Sequence, residues 1–356
     1  MRPERSERRA MDCREEMDAI LHADCIPWDK LSGRSVLVTG STGLVGFHLT
    51  CAMLYANEKR GLGMHMIALV RDKEKAGRLY RDFLPNPSLK FLFKPVEALW
   101  DVDGSVDYIV HGAGITSSRL MVEQPVETIW TTVQGTRNLL ELARKKKSLG
   151  VAFLSSMEVY GRQRTENPIG EDREVILSPG NIRDCYPIGK ALAESLCLAY
   201  AKEYGVPASC LRLSQVLGYI EGNDSEKKFY RQLIEDIRDG RDIHLLTAGG
   251  SKRTYLFIRD AVTAILTALL HGESGIYNVA DEESYCSIRA LCELAVQELA
   301  SGKLQVVAEG KNPPQYPQEN FLNLSSKKLR DLGWKPSVGL KDALRKVMEE
   351  AASRGE

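Results

Sequence analysis

Six short apolar runs stand out along the chain: Ser35–Thr39, Met66–Val70, Lys90–Phe93, Tyr108–His111, Val151–Ser155 and Ser209–Leu213. Their length and their content of β-branched and aromatic residues predict strands. Between most of them, apolar residues recur every three to four positions, at Leu44–Asn57, Val126–Arg144 and Ile188–Tyr204, which predicts helices. Strands alternating with helices imply βαβ units, a mostly parallel sheet and right-handed crossovers. A run such as Val36-Leu-Val38 lacks polar alternation because a parallel strand is covered on both faces.

The pattern differs at the two ends. Residues Met1–Asp12 are polar and of mixed charge; they are expected to form a frayed tail, because targeting peptides avoid acids. Met17, Ile20 and Leu21 predict a short amphipathic helix over Arg14–His22, and Pro27 and Gly33 punctuate the approach to the first strand. Beyond Gly218 a charged helical segment (Glu226–Arg238), short strands, a Pro-rich loop (Asn312–Pro317) and terminal helices (Ser325–Leu332, Leu340–Ala352) suggest a smaller α+β lobe. The expected division is an extension over 1–30, a sheet domain over 31–217, and a substrate lobe over 218–356. Part of that lobe, about 255–280, is expected to return to the sheet.

Composition narrows the classes. The chain has 356 residues, 43% of them hydrophobic, with 48 Lys+Arg against 48 Asp+Glu, which argues against a dedicated nucleic-acid binder. No apolar run reaches the roughly 18–20 residues that span a bilayer, so no membrane partner is expected. The eight cysteines are scattered without a Cys-x-x-Cys pair, and a reducing cytoplasm is the expected compartment. The six histidines show no metal-ligand spacing, so no metal is expected. Arg144–Lys147 reads as cations at a helix C-terminus.

Candidate chemistry begins at Thr39-Gly-Ser-Thr-Gly-Leu-Val-Gly46, between the first strand and the first helix of the sheet domain. Glycines there allow a tight turn, close approach to a pyrophosphate and close helix–strand packing, with the phosphates at a helix N-terminus. Gly40, Ser41, Thr42, Gly43, Leu44, Val45 and Gly46 are therefore candidate dinucleotide contacts in a doubly wound, Rossmann-type sheet. The second strand ends Ala68-Leu-Val-Arg-Asp72. An acid there favours NAD, and Arg71 could pair with a 2′-phosphate or stand exposed with no ligand; Arg71 and Asp72 leave the cofactor as NAD(P).

The second element is Tyr186-Pro-Ile-Gly-Lys190. Positions four apart share a helix face, so Lys190 can bring its ammonium to the Tyr186 phenol. An ordinary Tyr has a pKa of about 10, and a nearby cation favours the phenolate that a hydroxyl-oxidising enzyme needs. Tyr55 and Lys59 have the same spacing but lie late in a helix, away from the carboxyl edge of the sheet, and are expected to be a surface pair. A third element distinguishes Tyr186: Phe153-Leu-Ser-Ser-Met-Glu-Val-Tyr-Gly161, which ends the fifth strand at that edge and carries Ser156.

Together these motifs resemble an extended short-chain dehydrogenase/reductase of the NAD-dependent epimerase/dehydratase family, whose members mostly modify nucleotide sugars. Further shared segments are His111-Gly-Ala-Gly114, Gly135-Thr-x-Asn-Leu-Leu140 and Lys252-Arg-Thr-Tyr-Leu-Phe-Ile-Arg-Asp260. The resemblance implies that Tyr186 takes the proton of a sugar C4 hydroxyl while hydride leaves for a bound, recycled nicotinamide. Ser156 would share that hydrogen bond, and Lys190 would hold the nicotinamide ribose. It also implies cofactor contacts at His111, Gly112, Ala113 and Gly114, although the His111 side chain is expected to pack under the loop. Substrate contacts are implied at Thr116, Ser117, Gln215 and Arg253, the last on a diphosphate or a sugar carboxylate.

Departures select among the branches. Family dehydratases resemble Ser/Thr-Asp-Glu where this chain has Ser156-Met-Glu158, and methionine cannot transfer a proton. Glu158 without the acid is similar to the UDP-glucuronate decarboxylase pattern, although it could also merely cap its loop. Lys94-Pro-Val96 replaces an acid near adenine, and Gln215 and Tyr219 replace the usual Asn and Pro. Arg259 and Asp260 are expected to form a structural pair. The leading expectation is a 4-keto-sugar enzyme, decarboxylase before 4-epimerase. The alternatives are an NADPH-dependent ketone or aldehyde reductase, since plant flavanone reductases have a similar Val-Arg-Asp, and a non-catalytic dinucleotide sensor. A homodimer is expected through Val126–Arg144 and Ile188–Tyr204, with Leu192, Leu196, Leu198 and Tyr200 serving that interface or the core.

Overall fold

The computed structural model describes residues 14–220, 229–271, 273–311 and 319–354. The expected tail, the start of the Glu226–Arg238 segment and the loop Asn312–Pro317 lie outside them.

All six apolar runs form strands: β1 (Ser35–Thr39), β2 (His65–Val70), β3 (Leu89–Phe93), β4 (Tyr108–His111), β5 (Gly150–Ser156) and β6 (Ala208–Leu213). Further strands follow: β7 (Gln215–Leu217), β8 (Ile243–Leu245), β9 (Lys252–Phe257), β10 (Gly275–Val279), β11 (Asp281–Ser287), β12 (Val306–Ala308) and β13 (Phe321–Leu322). The helices are α1 (14–21), α2 (Leu44–Arg60), α3 (Lys73–Leu79), α4 (Ser118–Glu123), α5 (Pro125–Lys146), α6 (Cys185–Tyr204), α7 (Phe229–Arg238), α8 (Ile258–His271), α9 (Ile288–Ala300), α10 (Lys327–Arg330) and α11 (Leu340–Arg354). Among the described residues, no helix is long and apolar enough to cross a membrane.

The main sheet is parallel and runs β3-β2-β1-β4-β5-β6-β10. Its order reverses between β1 and β4, the crevice where such sheets place ligands. Every residue of β1 is buried. Val36 and Val38 join a core with Leu49 and Met53 of α2 and Ile265 and Leu269 of α8. Leu37 faces the other way, into a core with Leu139 and Leu142 of α5 and Ala193 and Cys197 of α6. Each such side chain contributes about 1.5–3 kcal/mol when fully buried.

Helix ends follow local chemistry. α2 stops at Gly61, whose φ of +61° is a left-handed cap that glycine adopts without strain. α6 starts three residues earlier than the apolar periodicity indicates, because Pro187 sits in the first turn, where its missing N–H has no partner to lose.

In the lobe, β9 lies between β11 and β13 and also pairs with β7, while β8 and β12 form a separate pair. α1 is anchored by Ile20 and Leu21, and the Trp28 indole donates to the Leu21 carbonyl at 3.1 Å. The expected Arg259–Asp260 pair is not what holds this corner. Arg259 reaches Glu16 of α1 at 3.3 Å, while Asp260 accepts from the Ser337 hydroxyl at 2.6 Å and the Val338 N–H at 3.0 Å. Successive side chains on a helix diverge by about 100°, so the two serve different neighbours. Tyr55 bonds Asp18 of α1, with Lys59 over its ring, away from the sheet's carboxyl edge.

Candidate active site at the carboxyl edge of the sheet

The glycine loop occupies the turn from β1 to α2. Gly40 has φ +70°, and a Cβ there would lie 2.6 Å from the backbone of Gly112. A Cβ on Gly46 would lie 2.3 Å from the Gly40 carbonyl oxygen, so the helix can approach the loop only without one. Gly43 is the N-cap of α2 and supplies no capping side chain, and the first turn contains no acid. The first-turn N–H groups thus lack a side-chain acceptor, which suits a pyrophosphate. Thr42, Leu44 and Val45 are half-buried beside them. Ser41 is different: its hydroxyl donates to the Leu69 carbonyl at 3.3 Å and its own carbonyl accepts from Tyr80 at 2.7 Å. Its side chain builds the loop.

His111 lies below. Its Nδ1 shares a hydrogen bond with Thr39 at 2.8 Å and its Nε2 one with Thr136 at 3.2 Å. Burial, with help from the Lys190 charge, pushes it down to about 3, so the imidazole is neutral. Thr39 Oγ1 also accepts from the Ala113 N–H at 3.2 Å, tying the His-Gly-Ala-Gly segment to the glycine loop. The His111 ring is therefore a support, and Gly112, Ala113 and Gly114 form the half-buried surface above it. Asp72 caps α3 by accepting from the Lys75 N–H at 2.9 Å, with Arg71 exposed just before it.

Tyr186 and Lys190 sit one turn apart at the start of α6, 7% and 3% exposed. The Tyr186 hydroxyl is hydrogen-bonded to Ser156, at the end of β5. Lys190 donates to the Leu154 carbonyl at 2.6 Å and lies 4.6 Å from the Phe153 ring centroid and 5.9 Å from that of Tyr186. Burial pushes Lys190 down to about 8, with Glu194 acting the other way. Tyr186 is raised well above the ordinary range, by burial first and then by the Glu158 charge; the Ser156 hydrogen bond and the Arg183 charge oppose this.

Glu158 stands on the short 3₁₀ turn after β5, and its N–H donates to Ser156 Oγ at 3.2 Å. Its carboxylate accepts from Arg183 at 3.1 Å. Met157 is buried with Val159, Tyr160 and Ile169. From the lobe come Gln215 on β7 and Arg253 on β9, both half-buried. Gln215 Nε2 is 3.5 Å from the Val216 carbonyl, and the buried Arg253 Nε has no hydrogen-bond partner among the described residues, a donor that an anion would satisfy. Ser117 is buried and caps α4 by accepting from the Leu120 N–H at 3.3 Å, with Thr116 exposed before it.

Two contacts around the site escape the sequence motifs. Arg183, three residues before Tyr186, looks like a loop cation until its contact with Glu158 is seen. Beneath the site, Glu194 and Arg212 form a buried ion pair at 2.7 Å. Ser155 donates to Glu194 at 2.6 Å, and the Arg212 guanidinium lies 4.5 Å from the Tyr160 ring centroid. Their signal was a charge inside an apolar run, at Ala191-Leu-Ala-Glu194 and Cys210-Leu-Arg212.

The sequence profile of the NAD dependent epimerase/dehydratase family matches residues 36–280. Among curated proteins, the chain is 27% identical over 327 residues to UDP-glucuronic acid decarboxylase 6 of Arabidopsis thaliana, spanning 90% of this chain and 89% of that protein. It is 28% identical over 268 residues to UDP-N-acetyl-alpha-D-glucosaminuronate decarboxylase of Bacillus cytotoxicus, spanning 74% of this chain and 77% of that one. Among solved structures, UDP-N-acetylglucosamine 4-epimerase of Methanobrevibacter ruminantium superposes with a TM-score of 0.76 at 19% identity, covering 90% of this chain and 99% of that one.

Proposed function

The chain belongs to the NAD-dependent epimerase/dehydratase family, and from that premise we propose that it oxidises C4 of a nucleotide-diphosphate uronic acid and releases its C6 carboxylate as CO2. The observation that carries the branch is the composition of the turn after β5. Glu158 lies where its charge acts on the Tyr186 phenol, while Met157 is buried away from it. Dehydration would lack its acid there.

Gly40–Gly46 and Gly112–Gly114 would hold NAD(P), with Lys190 at the ribose. When bound, that cofactor supplies the reversible hydride exchange that C4 oxidation and reduction require. Tyr186 accepts the C4 hydroxyl proton, and Ser156 holds the same oxygen. Lys190, buried beside the phenol, favours its anion. Once C4 is a ketone, the C6 carboxylate is β to it and can leave as CO2, with the electron pair spreading onto the C4 oxygen that Tyr186 and Ser156 hold. Glu158 would hold or relay a proton as C5 is reprotonated. Arg253 would take the diphosphate or the carboxylate, and that binding energy would fix the sugar for an otherwise slow oxidation.

We further propose a tightly held, recycled cofactor, a cytoplasmic setting, and a homodimer through α5 and α6. Val126 and Trp130 of α5 and Leu192 and Leu198 of α6 are exposed on neighbouring helices, which supports an apolar contact. Tyr200 belongs to the sheet-facing core, with Leu196 packed against it. Described cysteines are free thiols, as a reducing compartment requires.

The test is a mass-spectrometric screen against UDP-, dTDP-, GDP- and CDP-sugars, with and without added NAD or NADP. Loss of CO2 from a uronic acid, without net cofactor consumption, is the expected result. Unchanged mass with altered retention would replace the reading with epimerisation. Stoichiometric NADPH consumption would replace it with a net reductase.

A further inference from the structure

The Glu158–Arg183 contact joins two rigid backbones across the rim of the site. Glu158 is fixed by its N–H bond to Ser156 and by its carbonyl, which accepts from the Gly161 N–H at 2.9 Å. Gly161 has φ +65°, and a Cβ there would lie 1.8 Å from the Ile176 carbonyl oxygen, so this turn admits glycine alone. Arg183 is fixed by a capped turn: its N–H donates to the Asn181 side chain at 3.2 Å. The Asp184 carboxylate beside it is taken by the Asn181 side chain and the Ser178 N–H, both at 2.9 Å. The Arg183 and Glu158 side chains are 25% and 36% exposed, so as a stability device the pair is worth at most about 1 kcal/mol.

Its position matters more than its stability. Glu158 places a negative charge by the very phenol that must become an anion, and two neighbouring anions oppose each other. We propose that Arg183 is a positioning residue, which holds the Glu158 carboxylate in a fixed direction and offsets its charge at the Tyr186 hydroxyl. In agreement, Glu158 raises Tyr186 and Arg183 lowers it. The guanidinium acts through Glu158 and Tyr186, not on the substrate. The inference rests on the function proposed above.

The experiment compares Arg183→Ala, Arg183→Lys, Glu158→Gln and the Arg183→Ala/Glu158→Gln double variant, on a uronic acid that the wild type converts. Single-turnover oxidation is followed at the nicotinamide absorbance band, with KM and cofactor affinity by tryptophan quenching as parallel readouts. Arg183→Ala should slow oxidation at least about tenfold with KM and cofactor affinity nearly unchanged, and Arg183→Lys should keep most of the rate. With Glu158 already neutral, removing Arg183 should slow the double variant, relative to Glu158→Gln, by much less than Arg183→Ala slows the wild type. A double variant slowed by the full Arg183→Ala factor would overturn the inference and assign Arg183 to the substrate. An Arg183→Ala enzyme with wild-type rate would overturn it as well, leaving the function intact. A wild type inert toward every nucleotide sugar would overturn the function, and this inference with it.

Discussion

Arg212 on β6, paired in register with Ser155 of β5, donates to Glu194 at 2.7 Å in an ion pair whose side chains are only 5% and 4% exposed. Removing one partner would leave the other charged and buried, which costs about 3–5 kcal/mol, whereas replacing both by apolar residues is often neutral. Glu194→Ala should therefore fall by that amount in urea denaturation, and Glu194→Met/Arg212→Met, which keeps the buried volume filled, should recover most of it. A double variant as unstable as the sum of the two single ones would refute this account.

Tyr186→Phe removes the proton acceptor and leaves the ring that packs against Lys190. Turnover should fall at least about a hundredfold, while NAD(P) titration followed by tryptophan quenching should give nearly the wild-type affinity. Wild-type activity in this variant would end the mechanism.

How much of this was legible in the chain depends on the distance over which each residue acts. The six strands of Ser35–Leu213 were legible because two-sided burial writes an apolar run into each. β10 is less so: Asn278 interrupts Gly275–Val279, and only the fold shows its amide donating to the Ile169 and Ser325 carbonyls at 2.8 and 3.0 Å. The glycine loop and the Tyr186–Lys190 spacing are local, so their shape follows from neighbours in sequence. Arg183 and Arg212 were not legible as parts of the site, because their partners are Glu158 and Glu194, in other segments. Ser117 also serves as an N-cap, a role that the following helix decides and that its own motif does not show.

Gly46→Ala tests the glycine loop separately from catalysis. The new Cβ would lie 2.3 Å from the Gly40 carbonyl oxygen, and backbone atoms on both sides leave little room to yield. Bringing that contact even to 3.0 Å displaces α2 by about 0.7 Å, which moves every first-turn N–H away from the pyrophosphate. Affinity for NAD(P) measured by calorimetry should drop at least about tenfold, the effect of losing one or two hydrogen bonds to a charged group. Unchanged affinity would mean that the loop does not set the cofactor's position.

Lys190 offers a prediction with an unusual sign. Burial lowers it from 10.5 to about 8, so the folded protein holds this proton less firmly than the unfolded chain does. Below pH 8 both states are charged and folding bears the full cost, about 3 kcal/mol at 1.36 kcal/mol per pKa unit. Between pH 8 and 10.5 the folded side chain is neutral while the unfolded one still binds its proton, so stability rises with pH across that window. Lys190→Met removes the burden, and also the Nζ bond to the Leu154 carbonyl, worth about 1 kcal/mol. The cofactor-free variant should thus be inactive yet more stable than wild type by about 2 kcal/mol at pH 7. Its advantage should shrink as pH rises through 8 and change sign by 10.5, where only the lost Leu154 bond remains, with other titrating groups cancelling in the comparison. Urea denaturation of both proteins at pH 7, 9 and 10.5 measures it. A variant less stable at pH 7, or a gap that ignores pH, would show that Lys190 is accommodated without cost; the expected result would show that the site keeps a charge in its core for the sake of the Tyr186 phenolate.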